Sequence, residues 1–164
     1  MKRIIILAIL TLGVMTQSMA QKFGHANFEE IVGLLPERAT AEKEVQDLQK
    51  RLENRLNSMV ETYQAKANDF QTDTTLTASM RLSLRNEIAD MEKRIQEFQQ
   101  TAYTEIETKQ NELMGKMIEK VRTAAIEVGN TGEYTYIFDS STGGMLLYAG
   151  GEDVTPKIRT QLGI

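Results

Sequence analysis

Between Pro36 and Gly115 the chain contains neither glycine nor proline, an unbroken 78 residues from Glu37 to Met114 in a sequence of 164. Strands and turns need such punctuation every few residues, and only long helices do without it. The apolar positions keep helical time. Val45, Leu48, Leu52, Leu56, Met59, Tyr63, Ala67 and Phe70 fall three or four residues apart, which puts them on one face at 3.6 residues per turn. Five of them recur at a spacing of eleven, for example Val45 to Leu56 and Met59 to Phe70, a period that favours straight or slightly right-handed packing. The stripe lapses at Thr72-Asp73-Thr74-Thr75-Leu76-Thr77, whose short polar side chains compete with helical backbone bonding and offer caps. It resumes at Met80, Leu84, Ile88, Met91, Ile95, Phe98, Ala102 and Ile106, is interrupted by Lys109, and runs on to Val128. Gly129-Asn130 is the expected stop, since both residues tolerate the left-handed conformation after a helix. An antiparallel helical coiled-coil hairpin over residues 37–128, with its tip near 72–77, is the expectation.

The flanks read differently. Lys22 to Asn27 suits a strand, Asn27 and Glu30 have capping-box spacing, and Phe28, Ile31, Val32, Leu34 and Leu35 give a short amphipathic helix. Near the other end, Tyr134 to Asp139 and Met145 to Ala149 are aromatic and branched runs around a Gly-containing loop, the signal of a β-hairpin. Thr155 as N-cap, Pro156 at the first helical position and Gly163 as a stop frame a last short helix. The fold class is therefore α+β, with residues 21–36 and 129–164 expected to form a small β-body. Three strands leave two open edges and too few residues for a thick core. Burial against copies of the same chain is the physical remedy, and Phe23, Tyr134, Tyr136, Ile137, Phe138, Leu146, Leu147 and Tyr148 are the oligomerisation candidates.

The first twenty residues read as an export signal. Lys2 and Arg3 precede an apolar run from Ile4 to Val14, too short to span a bilayer, and Ser18-Met19-Ala20 places small residues for cleavage between Ala20 and Gln21. The chain has no cysteine, which excludes disulfide staples, thiol chemistry and Cys-based zinc sites. Loss of Lys2 and Arg3 leaves 17 basic against 23 acidic residues, a net charge of −6, and an acidic chain is a poor nucleic-acid binder.

Catalytic parts are wanting. His25 is the one histidine, without a second His, a Cys or paired carboxylates at ligand spacing, so a structural role in a strand is the reading. Ser140 to Gly144 lacks the Gly-Lys-Ser/Thr ending of a phosphate loop and reads as a turn. Asp139, Glu152 and Asp153 are too scattered for a calcium loop and suit strand ends and caps. No enzyme, metal or cofactor is called for. Met59, Tyr63, Phe70, Met80, Met91, Phe98 and Tyr103 on or beside the stripe are candidates for contact with apolar partners, because flexible thioethers and aromatics suit varied surfaces. A helix–helix core would use the same residues.

The order strand, short helix, long helical hairpin, β-hairpin and final helix resembles the Skp (OmpH-like) family of periplasmic chaperones over the whole mature length. The residues that carry the likeness are Phe23-Gly-His-Ala-Asn-Phe-Glu-Glu at the start, and at the end Tyr136-Ile-Phe-Asp139, Met145-Leu-Leu-Tyr-Ala149 and Asp153-Val-Thr155. The resemblance implies a trimer whose strands form a shared body and whose hairpins surround a cavity that holds unfolded outer-membrane proteins without ATP. Weak contact with envelope lipids is also compatible with it. Familiar members of the family are strongly basic, whereas this mature chain is acidic, so no lipopolysaccharide site is carried over. From Thr74 to Asn86 the only charged residues are Arg81 and Arg85, a small basic spot near the tip. A structural coiled-coil spacer or assembly factor of the envelope is the alternative reading, and it needs no cavity. Prefoldin-like chaperones place their β-hairpins between the helices, which this chain does not.

Overall fold

The computed structural model of the chain describes residues 21–141 and 146–164, so the expected signal segment 1–20 and Met145 lie outside the described residues. In chain order the elements are β1 (Phe23–Ala26), α1 (Phe28–Leu34), α2 (Glu37–Thr72), α3 (Ala78–Thr131), β2 (Tyr136–Asp139), β3 (Glu152–Asp153) and α4 (Thr155–Leu162). The punctuation-free stretch becomes two helices of 36 and 54 residues, about 54 and 81 Å long at 1.5 Å per residue. Pairs across them run in opposite senses. Glu37 meets Lys120, Glu44 meets Lys109 at 2.9 Å, Arg55 lies 5.0 Å from the Phe98 ring centre, and Lys66 meets Glu87 at 2.7 Å.

The turn between α2 and α3 is held by side chains. Asp73 Oδ1 accepts from the Thr75 amide at 2.8 Å, and Thr77 Oγ1 accepts from the Met80 amide at 3.3 Å as the N-cap of α3. Arg81 donates to the Phe70 and Asp73 carbonyls at 3.1 Å each, satisfying groups that the end of α2 leaves without helical partners. The expected basic spot is thereby halved, because the Arg81 guanidinium is committed to the turn.

Glycine at 129 does not stop α3. The helix runs on through Thr131, with Gly132 as its C-cap and Glu133 at φ 55°. Gly132 is where glycine is required, since a Cβ there would stand 2.3 Å from the Tyr134 ring. At Gly129 an added Cβ would meet Ile137 Cδ1 at 3.6 Å, an ordinary van der Waals contact, so the helix passes through that position without requiring glycine.

The sheet departs from the expectation most. Its order is β2-β1-β3, and both outer strands run parallel to β1, with Phe23 opposite Tyr136, Ala26 opposite Asp139, and His25 opposite Asp153. Among the described residues the expected β-hairpin between residues 134–139 and 145–149 is not formed, and Leu146 to Ala149 is not a strand. Distance explains why. A strand outside β2 would lie about 14 Å from β3, three interstrand spacings. The three links from Ala149 to Glu152 reach at most about 11 Å. With Glu152 committed to β1, the run through Ala149 cannot stay on the β2 edge of its own chain.

The core lies at this end of the molecule. Ala26, Ile31, Leu35, Val121, Val128, Val154 and Ile158 are buried together, drawn from β1, α1, the last turns of α3 and α4. Two ties bring the chain ends together. Asn27 caps α1 by accepting from the Glu30 amide at 3.0 Å. The reciprocal half of a capping box is made from 128 residues away, by the buried Thr155, whose Oγ1 accepts from the Asn27 amide at 3.0 Å. Glu30 turns to Arg159, 3.7 Å away. Thr155 is thus the first residue of α4 rather than its cap, and Asp153 Oδ1 takes its amide at 2.9 Å.

Candidate binding surfaces

Along the hairpin the apolar stripe is covered only in part. No residue between Leu48 and Met117 is buried. Met59, Tyr63, Phe70, Met91 and Phe98 are half-buried, whereas Met80 and Tyr103 are exposed. Phe70 and Phe98 lie against guanidinium groups of the opposite helix, Arg81 at 5.4 Å and Arg55 at 5.0 Å. Met80 yields its seam position to Arg81, which is why it faces solvent. Met114, a methionine expected on or beside the stripe, is exposed as well, and Leu82, Ile118 and Ile126 are further exposed apolar side chains that reading a single stripe missed. The doublets Leu113-Met114 and Met117-Ile118 were the available signal, since adjacent apolar residues widen a helical stripe beyond one face.

Two clefts flank the lower hairpin. One of about 850 Å³ has Val32, Val45, Leu113, Met114, Met117 and Ile118 among its lining residues. The other, of about 830 Å³, is lined mostly by polar and charged residues, among them Glu44, Arg51, Thr104, Thr108, Lys109 and Glu112. Lys109, the interruption in the stripe, holds Glu44 here, and that carboxylate pushes its ammonium pKa up.

At the base, the oligomerisation candidates divide. Phe23, Tyr136 and Phe138 form an exposed aromatic patch on the sheet face opposite the core, with ring centres 6.0 to 6.4 Å apart. Ile137 alternates to the other face and packs on the core. Tyr134 does not share the aromatic face, because β2 begins only at Tyr136. Its ring lies over Gly24 and Gly132, and its hydroxyl donates to Glu152 at 2.5 Å and accepts from Lys157 at 2.9 Å. Lys157 and Tyr134 together hold the Glu152 carboxyl down to about 2 from an ordinary 4.5. Leu146 is half-buried, while Leu147 and Tyr148 are 94% and 86% exposed.

His25 sits on the middle strand between Phe138 and Asp153. Among the described residues no group of three or more His, Cys, Asp or Glu is placed to hold a metal ion, and no helix is long and apolar enough to cross a membrane.

Long paired helices with partly covered apolar surface stand on a small sheet that bears an aromatic patch, the architecture of a helical hairpin on a β-body. The chain belongs to the outer membrane protein (OmpH-like) family, whose pattern matches residues 22–162. Members of that family are periplasmic chaperones of outer-membrane proteins and are not enzymes. No curated protein matches the sequence.

Proposed function

We propose that the protein is an ATP-independent periplasmic holdase that binds unfolded outer-membrane proteins and prevents their aggregation. It works as a homotrimer in which the bases associate and three antiparallel hairpins surround a shared cavity. The observation that carries this reading is the half-covered stripe: from Leu48 to Met117 no side chain is fully withdrawn from solvent, so apolar area stays available to a client along the whole rod. Met59, Tyr63, Phe70, Met80, Met91, Phe98 and Tyr103 are the client contacts, and none dominates. The family supports the same reading. Export follows cleavage between Ala20 and Gln21, so intact mass of the protein recovered from the periplasm should begin at Gln21.

Sedimentation of the purified protein with and without an unfolded outer-membrane protein is the decisive experiment. The holdase sediments as an oligomer that binds the client and suppresses its light scattering. A dimeric rod that leaves client aggregation unchanged would instead establish the spacer. A shortened chain that joins α2 and α3 below the tip should keep the stoichiometry and lose capture, because association resides in residues 21–35 and 130–164.

A further inference from the structure

The expected cleavage bond lies close to the middle of the sheet. β1, the central strand in the order β2-β1-β3, begins at Phe23, so Gln21 and Lys22 alone separate the new chain end from it. Lys22 already belongs to the ladder. Its carbonyl accepts from the Thr135 amide at 2.8 Å, and its ammonium donates to the Gly132 carbonyl at 3.0 Å, lies 3.6 Å from Glu152 and stands 4.0 Å from the Tyr134 ring centre. Gln21 is different. It is exposed and outside the strand, and no hydrogen bond ties it to another described residue.

We infer that Gln21, once cleavage makes it the first residue, cyclises to pyroglutamate, which makes the end of the mature chain a modification site. This rests on cleavage between Ala20 and Gln21 as proposed above and adds what becomes of the new end. In its neutral form the Gln21 α-nitrogen attacks Cδ of its own side-chain carboxamide. A bond forms between that nitrogen and Cδ, the Cδ–Nε2 bond breaks, and Nε2 leaves as ammonia with a proton taken from the α-nitrogen. A lactam ring is closed, nothing is oxidised or reduced, and no co-reactant is consumed. Amine and amide sit on one residue, so closure needs no encounter. An α-amine has a pKa of about 8, which leaves a reactive neutral fraction at neutral pH.

What the fold adds is access. The carboxamide of Gln21 is unclaimed by the sheet, whereas the carbonyl and ammonium of Lys22 are held, so the reacting residue can turn back on itself while the next one stays fixed. The consequence follows from the same placement. Chain ends are where proteolysis begins unless they are tied down. An aminopeptidase that removed Gln21 and Lys22 would take away the ladder bond to Thr135 and the contacts with Gly132 and Glu152 at the start of the central strand. The lactam gives such an enzyme no free amine to bind, and it removes the positive charge of the terminus next to Lys22.

The full chain is exported, and its periplasmic form is analysed at once after harvest by intact mass and by mass-spectrometric sequencing of the first peptide. The expected chain starts at Gln21 and is lighter by one ammonia than the uncyclised protein. A Gln21 start of full mass with a free amine overturns cyclisation and leaves export standing. A chain that retains Met1, or starts anywhere else, sinks both readings. In parallel, purified wild type and the Gln21→Ala variant are treated with an aminopeptidase. Both should melt at the same temperature beforehand, because Gln21 has no partner in the fold. Wild type should keep its mass through the digestion, whereas the variant should lose its first residue. Wild type trimmed as fast as the variant overturns the proposal.

Discussion

The base and the hairpin are built from one chain but stabilised in different ways. In the base, Ile31, Val121, Val154 and Ile158 are withdrawn from solvent completely, so each change there meets a packed neighbour. In the hairpin, two helices share a single seam, and the exposed pairs Glu37–Lys120, Glu44–Lys109 and Lys66–Glu87 contribute about 0 to 1 kcal/mol each. Such pairs set the register of the two helices more than their stability. The difference teaches that the base supplies the fold, while the hairpin retains apolar surface because its geometry cannot hide it.

The contrast is open to attack at five points. Ile158→Ala should cost about 2 to 5 kcal/mol in chemical denaturation, the price of a cavity in a closed core. A loss below 1 kcal/mol would mean that the base is no better packed than the rod. Next in size is Thr155→Val, which leaves the Asn27 amide without its acceptor at the junction of the two chain ends. About 1 to 3 kcal/mol should be lost, and amide exchange at Asn27 should quicken.

Arg81→Ala tests the tip, where the guanidinium bonds the Phe70 and Asp73 carbonyls. Roughly 1 kcal/mol should go, seen as faster exchange confined to residues near 70–81 with the core amides unaffected. Exchange that spreads to Val121 or Ile158 would show the two regions to be coupled.

Glu152 gives a pH window for the base alone. Its pKa is lowered in the fold, to about 2 from 4.5, so its contribution is complete above 4.5 and is lost as the pH falls toward 2. Glu152→Gln should flatten the pH dependence of the melting temperature within that window and nowhere else. The smallest effect belongs to the rod. Met91→Ala or Phe98→Ala should hardly change suppression of client aggregation, and client affinity should vary weakly with salt, since an acidic chain gains little from long-range steering. A steep loss of affinity between low and physiological ionic strength would restore a role for local cations such as Arg85.

Some of this was legible from residues taken in order. The gap from Glu37 to Met114, the stripe of spacing three and four, and the Asn27 cap are local signals, because a helix makes its hydrogen bonds four residues away and declares itself within one turn. The doublets Leu113-Met114 and Met117-Ile118, in which Met114 and Ile118 are the exposed members, were equally readable as a widened stripe. Other features were not. Met145 to Ala149 has strand composition, but composition does not name the partner of a strand. Both neighbours of β1 come from more than a hundred residues away.

What the sequence determined alone was therefore the long helices, the Asn27 cap and the presence of strand-forming ends. Tertiary structure decided that β1 stands between two parallel strands, that Tyr134 turns to Glu152 and Lys157 instead of joining the aromatic face, and that Thr155 completes the cap begun at Asn27. The reason is reach: a helix satisfies its backbone from its own neighbours, whereas a strand or a cap shared between chain ends must wait for the rest of the chain to bring its partner.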